Sequence, residues 1–168
     1  QRQMCIRDSI RVMPNTPAMV GQGMAAVCSN NLVSQAQRED VLAVFRSFGR
    51  AEEVAESLFD VVTAVSGSSP AYVYLFIEAM ADAAVAGGMP RGLAYTFCAQ
   101  AVAGSARMVL ETGKHPGELK DMVCSPGGTT IDAVMELEQR GMRSAVQNAV
   151  MVCMRKSKSM GKQQEDAV

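Results

Sequence analysis

Several absences bound what this chain can be. No run of about 18 apolar residues occurs, so no segment is long enough to cross a bilayer as a helix, although 48% of the residues are hydrophobic. No membrane role is expected. Histidine is represented only by His115, and the five cysteines (Cys5, Cys28, Cys98, Cys124, Cys153) are scattered without a C-x-x-C pair. That spacing suits neither a zinc site nor a disulfide framework, so no metal is expected and a reducing cytoplasm fits best. Positive charge is not in excess either: 16 Lys and Arg face 17 Asp and Glu, a net charge of -1. A surface of that kind has no general field to draw phosphates, which argues against nucleic acid and for a small-molecule partner. Internal repeats and low-complexity stretches are missing. Residues 1–9 have neither strand nor helix periodicity, and neither the apolar core nor the cleavage site of a signal peptide. They are expected to be a cloning or assembly remnant, with the natural sequence beginning near Ile10 in mid-domain.

What is present falls into two parts. Ile10–Met13 and Gly23–Cys28 read as short strands, each bounded by turn residues. From Ser34 the period changes, with Val41, Val44, Phe45 and Phe48 at helical spacing, Ser34 and Gln37 forming a capping box, and Gly49 closing the end. Glu53–Ala55 is expected to add a last strand, so residues 10–57 alternate strand and helix like the tail of an α/β domain. After Phe59 the chain turns to long helices rich in small residues. Ser69-Pro70 opens one running to about Ala86, with Glu78 and Asp82 as its only charges. So apolar a helix is expected to be buried nearly all round. Further helices are predicted from Pro90 to Gly113, from Pro116 to about Cys124, from about Thr129 to Gly141, and over a final stretch carrying Val146, Ala149, Val150, Cys153 and Met154 on one face. This is more apolar surface than one small bundle needs, which predicts a second subunit over the helices around 70–112.

The chemistry concentrates in Ser125-Pro126-Gly127-Gly128-Thr129-Thr130, a loop entering a helix. Two glycines let backbone amides converge, and a helix start leaves amides unpaired with partial positive charge, which suits a carboxylate or phosphate. The same six residues also describe a tight helix–helix connection with Ser or Thr as N-cap. His115, directly before Pro116, reads as a helix-entry residue rather than a catalytic acid, because no partner is visible to tune it. Cys124 reads as a small hydrophobe. Glu78 and Asp82, one turn apart, read as a pair of buried carboxylates, catalytic in one reading but favoured as taking partners from the interface.

Pro116-Gly117-Glu118-Leu119 through Val123-Cys124-Ser125, Gly127-Gly128, Thr130, Ala133-Val134 and Leu137-Glu138 closely resembles the signature of pyrroline-5-carboxylate reductases. Met13-Pro14-Asn15-Thr16-Pro17 and Ala64-Val65-Ser66-Gly67-Ser68-Ser69-Pro70-Ala71-Tyr72 resemble the same family, in order and with similar spacing over about residues 10–157. The resemblance implies a mainly α chain: a remnant of an α/β Rossmann domain over 10–58, an all-helical dimerisation and substrate-binding domain over 59–157, and a polar tail over 158–168. It implies reduction of 1-pyrroline-5-carboxylate to L-proline with NADPH or NADH, and a homodimer through the helical domain. By position it places the substrate carboxylate on the amides around Gly127, Gly128 and Thr129, and the Thr130 hydroxyl beside the ring nitrogen. Ser125 falls next to nicotinamide and substrate, Asn15-Thr16-Pro17 on the cofactor side, and Glu56 near the substrate. Gly113 and Met122 depart from the family, standing where relatives have a glutamate and an asparagine.

Gly21-Gln22-Gly23-Met24-Ala25-Ala26 satisfies G-x-G-x-x-A, but the dinucleotide fingerprint follows a strand and opens a helix, whereas these glycines precede a strand-like run. In the family that fingerprint lies upstream of Ile10, so this chain alone is expected to be inactive. Two other readings stand beside the reductase: a non-catalytic helical dimerisation module, and a dehydrogenase acting on 3-hydroxy acids, against which the helix at Pro70 lacks a catalytic lysine motif.

Overall fold

A computed structural model describes residues 8–165, with side chains through 161. The reading of residues 1–7 as a remnant, and residues 166–168 of the tail, lie outside the described residues. Two compact units divide the chain: residues up to Ala71 together with those from Asn148 on, and Tyr72–Gln147.

The first unit is built on a three-stranded sheet in the order β1-β2-β3. Strand β1 (Ile10–Met13) runs antiparallel to β2 (Gly23–Ser29), with Ile10 opposite Ser29 and Met13 opposite Ala26. Strand β3 (Gly49–Glu53) runs parallel to β2, with Gly23 opposite Gly49 and Val27 opposite Glu53. The third strand was expected at Glu53–Ala55 and comes earlier. Its sequence, GRAEE, hides the strand because only Ala51 faces the core while its charged neighbours face out. Gly49 therefore opens a strand rather than closing a helix: a Cβ there would overlap the backbone of Gly23. Helix α1 (Gln35–Arg46) starts at the expected capping box, the Gln37 amide donating to Ser34 Oγ at 3.3 Å and the Ser34 amide donating to Gln37 Oε1 at 2.9 Å. Its buried face is Leu42 with Val41 and Phe45, packed on Ala25, Val27 and Ala51; Val44, expected on that face, is 58% exposed.

After a 3-10 turn at Glu56–Leu58 come helix α2 (Phe59–Val62) and a π-helical turn, Thr63–Gly67. Phe59 and Ala64 are buried. The later part of helix α7 (Met142–Glu165) belongs to this unit, where Ser157 Oγ donates to Asp60 Oδ1 at 2.6 Å and Cys153 Sγ lies 3.3 Å from Ser68 Oγ. The polar tail expected from residue 158 thus continues as helix to Glu165.

The second unit holds most of helix α3 (Ser69–Ala86), helix α4 (Arg91–Thr112), helix α5 (Pro116–Val123), helix α6 (Thr129–Gln139) and the start of α7. Left-handed glycines stop three of the helices or their connections: Gly88 (φ 94°), Gly113 (φ 64°) and Gly141 (φ 77°). Asp82 pairs with Arg91 across the α3–α4 connection, and the guanidinium stacks over Tyr95 at 5.6 Å. Hydrogen bonding to Asp82 raises the Arg91 pKa above its ordinary value, against desolvation. Both Glu78 and Asp82 are exposed, so they are not the buried pair the apolar helix suggested. Nor is α3 buried all round within one chain. Only Ala81 of it is buried, while Leu75 is 68% exposed, Phe97 on α4 60% and Met122 on α5 63%. Among the described residues no helix is long and apolar enough to cross a membrane.

Candidate functional site

The loop between α5 and α6 is shaped by its two glycines. Gly127 sits at φ 66°, a left-handed conformation that side chains resist, and turns the chain toward the helix. The Gly128 amide then donates to the Ser125 carbonyl at 3.0 Å, closing the turn. At Gly128 a Cβ would overlap the Ser125 hydroxyl, so the glycine lets Ser125 lie directly over the helix start. Gly128 is itself the N-cap, with extended backbone, and no side chain caps α6. This removes the reading in which Ser or Thr serves as N-cap. The first amides of α6, beginning with Thr129 and Thr130, have no intrahelical acceptors and keep the partial positive charge of the helix start. Gly128 differs from expectation in one respect, because its amide is used inside the turn. The amides left without an acceptor therefore start at Thr129. Ser125 and Thr129 are exposed and Thr130 is half-buried, so hydroxyl groups flank the amides. A small carboxylate with a hydrogen-bond acceptor a few bonds away is the chemistry this arrangement suits.

His115 has a defined task. Its Nδ1 accepts from the Gly117 amide at 3.0 Å and caps α5. An accepting Nδ1 makes the ring the neutral Nε2–H tautomer, in keeping with a helix-entry residue.

In the other unit, Thr16 and Pro17 open a 3-10 turn, Thr16–Val20, ended by left-handed Gly21 (φ 71°). Gly23 begins β2, and a Cβ on it would meet Ala18 Cβ at 2.8 Å. The G-x-G-x-x-A glycines thus serve a turn and a close approach, and a strand follows them. Thr16 is exposed, whereas the Asn15 side chain is engaged: Nδ2 donates to Ser66 O (3.3 Å) and Ser66 Oγ (3.2 Å), and Oδ1 accepts from the Met24 amide (2.9 Å). Glu56 is also engaged, with Oε1 2.9 Å from Arg11 Nη1, and the Arg11 guanidinium lies 4.5 Å from the centre of the Phe59 ring. Sequence reasoning missed Ser66 and Arg11. Pro70, four residues after Ser66, was the available signal for the first; an exposed arginine in a four-residue strand gave none for the second.

Apolar grooves run between helices of the second unit. One of about 400 Å³ lies between α6 and α7 (Val134, Leu137, Met142, Val146), one of about 380 Å³ between α4 and α5 (Met108, Leu119, Met122, Val123), and one of about 520 Å³ between α3 and α4 (Phe76, Met80, Val102, Val109). None of these three is lined by residues 125–130. Among the described residues no group of three or more His, Cys, Asp or Glu is placed to hold a metal ion.

Comparison with known proteins places these features in a family. Residues 56–160 match the family model described as pyrroline-5-carboxylate reductase dimerisation. The chain is 63% identical over 156 residues to the pyrroline-5-carboxylate reductase of Escherichia coli K12, covering 93% of this chain and 58% of that protein. It is 50% identical over 153 residues to the pyrroline-5-carboxylate reductase of Synechocystis, covering 91% of this chain and 57% of the relative. Among solved structures, Plasmodium falciparum pyrroline carboxylate reductase with NADP bound is similar at a TM-score of 0.87 and 40% identity, over 94% of this chain and 63% of that one. The 1-pyrroline-5-carboxylate reductase of Streptococcus pyogenes is similar at 0.85 and 41% identity, over 90% and 59%. The chain thus spans a little under three-fifths of the curated relatives.

Proposed function

Because the chain belongs to the pyrroline-5-carboxylate reductase dimerisation family, we propose that it is the substrate-binding and self-associating part of an enzyme reducing 1-pyrroline-5-carboxylate to L-proline. The observation that supports this reading is the uncapped start of α6 behind Gly127 and Gly128, whose free amides suit an anion of carboxylate size. A dimerisation module without chemistry would leave that helix start and its flanking hydroxyls without a task.

The substrate carboxylate sits on the amides from Thr129 on, in the loop shaped by Gly127 and Gly128. The Thr130 hydroxyl donates to the ring nitrogen, which makes the C=N carbon a better acceptor of hydride and supplies a hydrogen bond as the nitrogen gains electron density. Ser125, held over the helix start, orients the ring and the nicotinamide against each other. Asn15, Thr16 and Pro17 are assigned to the cofactor by their position in the family's pattern, a reading supported by the anchored turn and the exposed Thr16. NADPH or NADH supplies the hydride when bound. Glu56 is assigned to the substrate by its position in the family's pattern, and its carboxylate is paired with Arg11. Residues 10–58 form the end of the dinucleotide-binding domain and residues 59–157 the helical domain.

A second copy of the chain is the proposed occupant of the exposed apolar faces of α3 and α4, in line with the dimerisation role in the family's description and with side chains such as Leu75 and Phe97 lying open in one chain. The compartment we assign is the cytoplasm, where the free cysteines Cys28, Cys98, Cys124 and Cys153 stay reduced.

The test is to join the chain to the part of the Escherichia coli relative that it does not span. The joined protein is expected to oxidise NADPH or NADH on adding 1-pyrroline-5-carboxylate and to form L-proline. A folded, self-associated protein without turnover, beside an active parent, would remove the catalytic reading and leave the assembly module.

A further inference from the structure

The π-helical turn before α3 poses an accounting question for its carbonyl groups. Ser68 N–H donates to Thr63 O at 2.8 Å, five residues back, and Ala71 N–H donates to Ser68 O at 3.1 Å. The helical donor to the Ser66 carbonyl would be the amide of residue 70, which is Pro70 and has none. The next amide, that of Ala71, is already used. Ser66 O is therefore orphaned by the very proline that opens α3, in a half-buried position. Its donor comes from a distant part of the sequence, Asn15 Nδ2 at 3.3 Å, which also reaches Ser66 Oγ at 3.2 Å.

The other end of the same side chain is equally determined. Strand β1 ends at Met13, opposite Ala26, so the Met24 amide lies beyond the β1–β2 ladder, and Asn15 Oδ1 accepts from it at 2.9 Å. The amide orientation is forced by chemistry, because a carbonyl only accepts and a backbone N–H only donates. A second contact secures the junction: a Cβ on Gly67 would meet Met13 Cε at 2.9 Å, so the turn and the end of β1 lie against each other.

We propose that Asn15 is a positioning residue whose side chain substitutes for the missing Pro70 N–H. It ties the Asn15–Pro17 loop to the turn that opens α3, and leaves Thr16 and the loop backbone to face a cofactor. The role toward the cofactor rests on the function proposed above; the tie itself does not. In this arrangement the loop assigned to the cofactor and the turn that precedes a helix of the proposed subunit interface share one hydrogen-bond node.

Hydrogen–deuterium exchange on the 168-residue chain tests the tie, with the α1 amides as internal reference. Asn15→Ala is expected to speed exchange of the Met24 amide and of amides across 63–71 by about tenfold or more, the scale of leaving a part-buried group unpaired. Asn15→Asp keeps an acceptor for Met24 but sets an oxygen against the Ser66 carbonyl, so Met24 stays protected while 63–71 exchanges faster. Pro70→Ala returns an N–H to the helix, and in that background Asn15→Ala should speed 63–71 much less while still exposing Met24. Unchanged exchange across 63–71 in Asn15→Ala, or an equal effect of Asn15→Ala in the wild-type and Pro70→Ala backgrounds, would overturn the proposal. If Pro70→Ala does not fold, the contrast between Met24 and 63–71 in Asn15→Asp decides alone. In the joined protein, Asn15→Ala should raise the KM for NADPH several-fold with a smaller change in kcat. An unchanged KM alongside the expected exchange pattern would remove the cofactor-side reading and keep the tie.

Discussion

Replacing Thr130 separates catalysis from helix capping more sharply than the sequence allowed. Thr130 is the second residue of α6, whose N-cap is Gly128, and no side chain caps the helix. Thr130→Ala therefore removes no cap. Alanine is the better helix former by at most ~0.7 kcal/mol, so stability should be unchanged or slightly raised. At ~2–4 °C per kcal/mol for a chain of this size, the melting temperature moves by less than about 3 °C. The kinetic effect is of another size. Losing a hydrogen bond that strengthens as the ring nitrogen gains electron density is expected to lower kcat/KM by roughly ten- to a thousandfold, or ~1.4–4 kcal/mol. Thr130→Ser keeps the donor and should keep much of the activity. The assay is NADPH oxidation by the joined protein with 1-pyrroline-5-carboxylate, with melting curves on the same preparations. Normal kcat/KM in Thr130→Ala would remove the hydroxyl from the mechanism. A melting temperature lowered by several degrees would instead refute the uncapped geometry.

Gly128→Ala forces the Ser125 hydroxyl off the helix start, since the added Cβ would overlap it, and should lower kcat/KM at least tenfold with a stability cost of ~1–3 kcal/mol; wild-type turnover in a folded variant would show that Ser125 need not sit there. His115→Ala removes the Nδ1 cap of α5 and should cost ~1 kcal/mol in a denaturant melt with unchanged pH dependence of turnover, whereas a shifted pH profile would restore an acid–base role. The chain is expected to sediment as a dimer or larger species at micromolar concentration, and charges placed at Leu75 and Phe97 (Leu75→Glu, Phe97→Glu) should shift it toward monomer. A folded wild-type monomer would contradict the assignment of those exposed faces.

Much of the architecture was legible in the chain because local chemistry specifies it. The Ser34–Gln37 capping box starts α1, Pro90 and Pro116 precede or open helices where their missing amides do no harm, and left-handed glycines stop α4 and α6. The motif Ser125–Thr130 likewise marked a glycine-turned loop entering a helix, which the left-handed Gly127 and the N-cap Gly128 form. Tertiary structure alone decided the rest. Whether a side chain or Gly128 caps α6 depends on a turn closed by Ser125, and GRAEE becomes a strand only because Gly49 can lie against Gly23. The tasks of Asn15 and Glu56 depend on partners 51 and 45 residues away, Ser66 and Arg11, which no local pattern can register. Exposure was also beyond the sequence. A helix as apolar as α3 reads as buried, yet one chain covers little more than Ala81, because burial depends on what packs against a surface as well as on its composition.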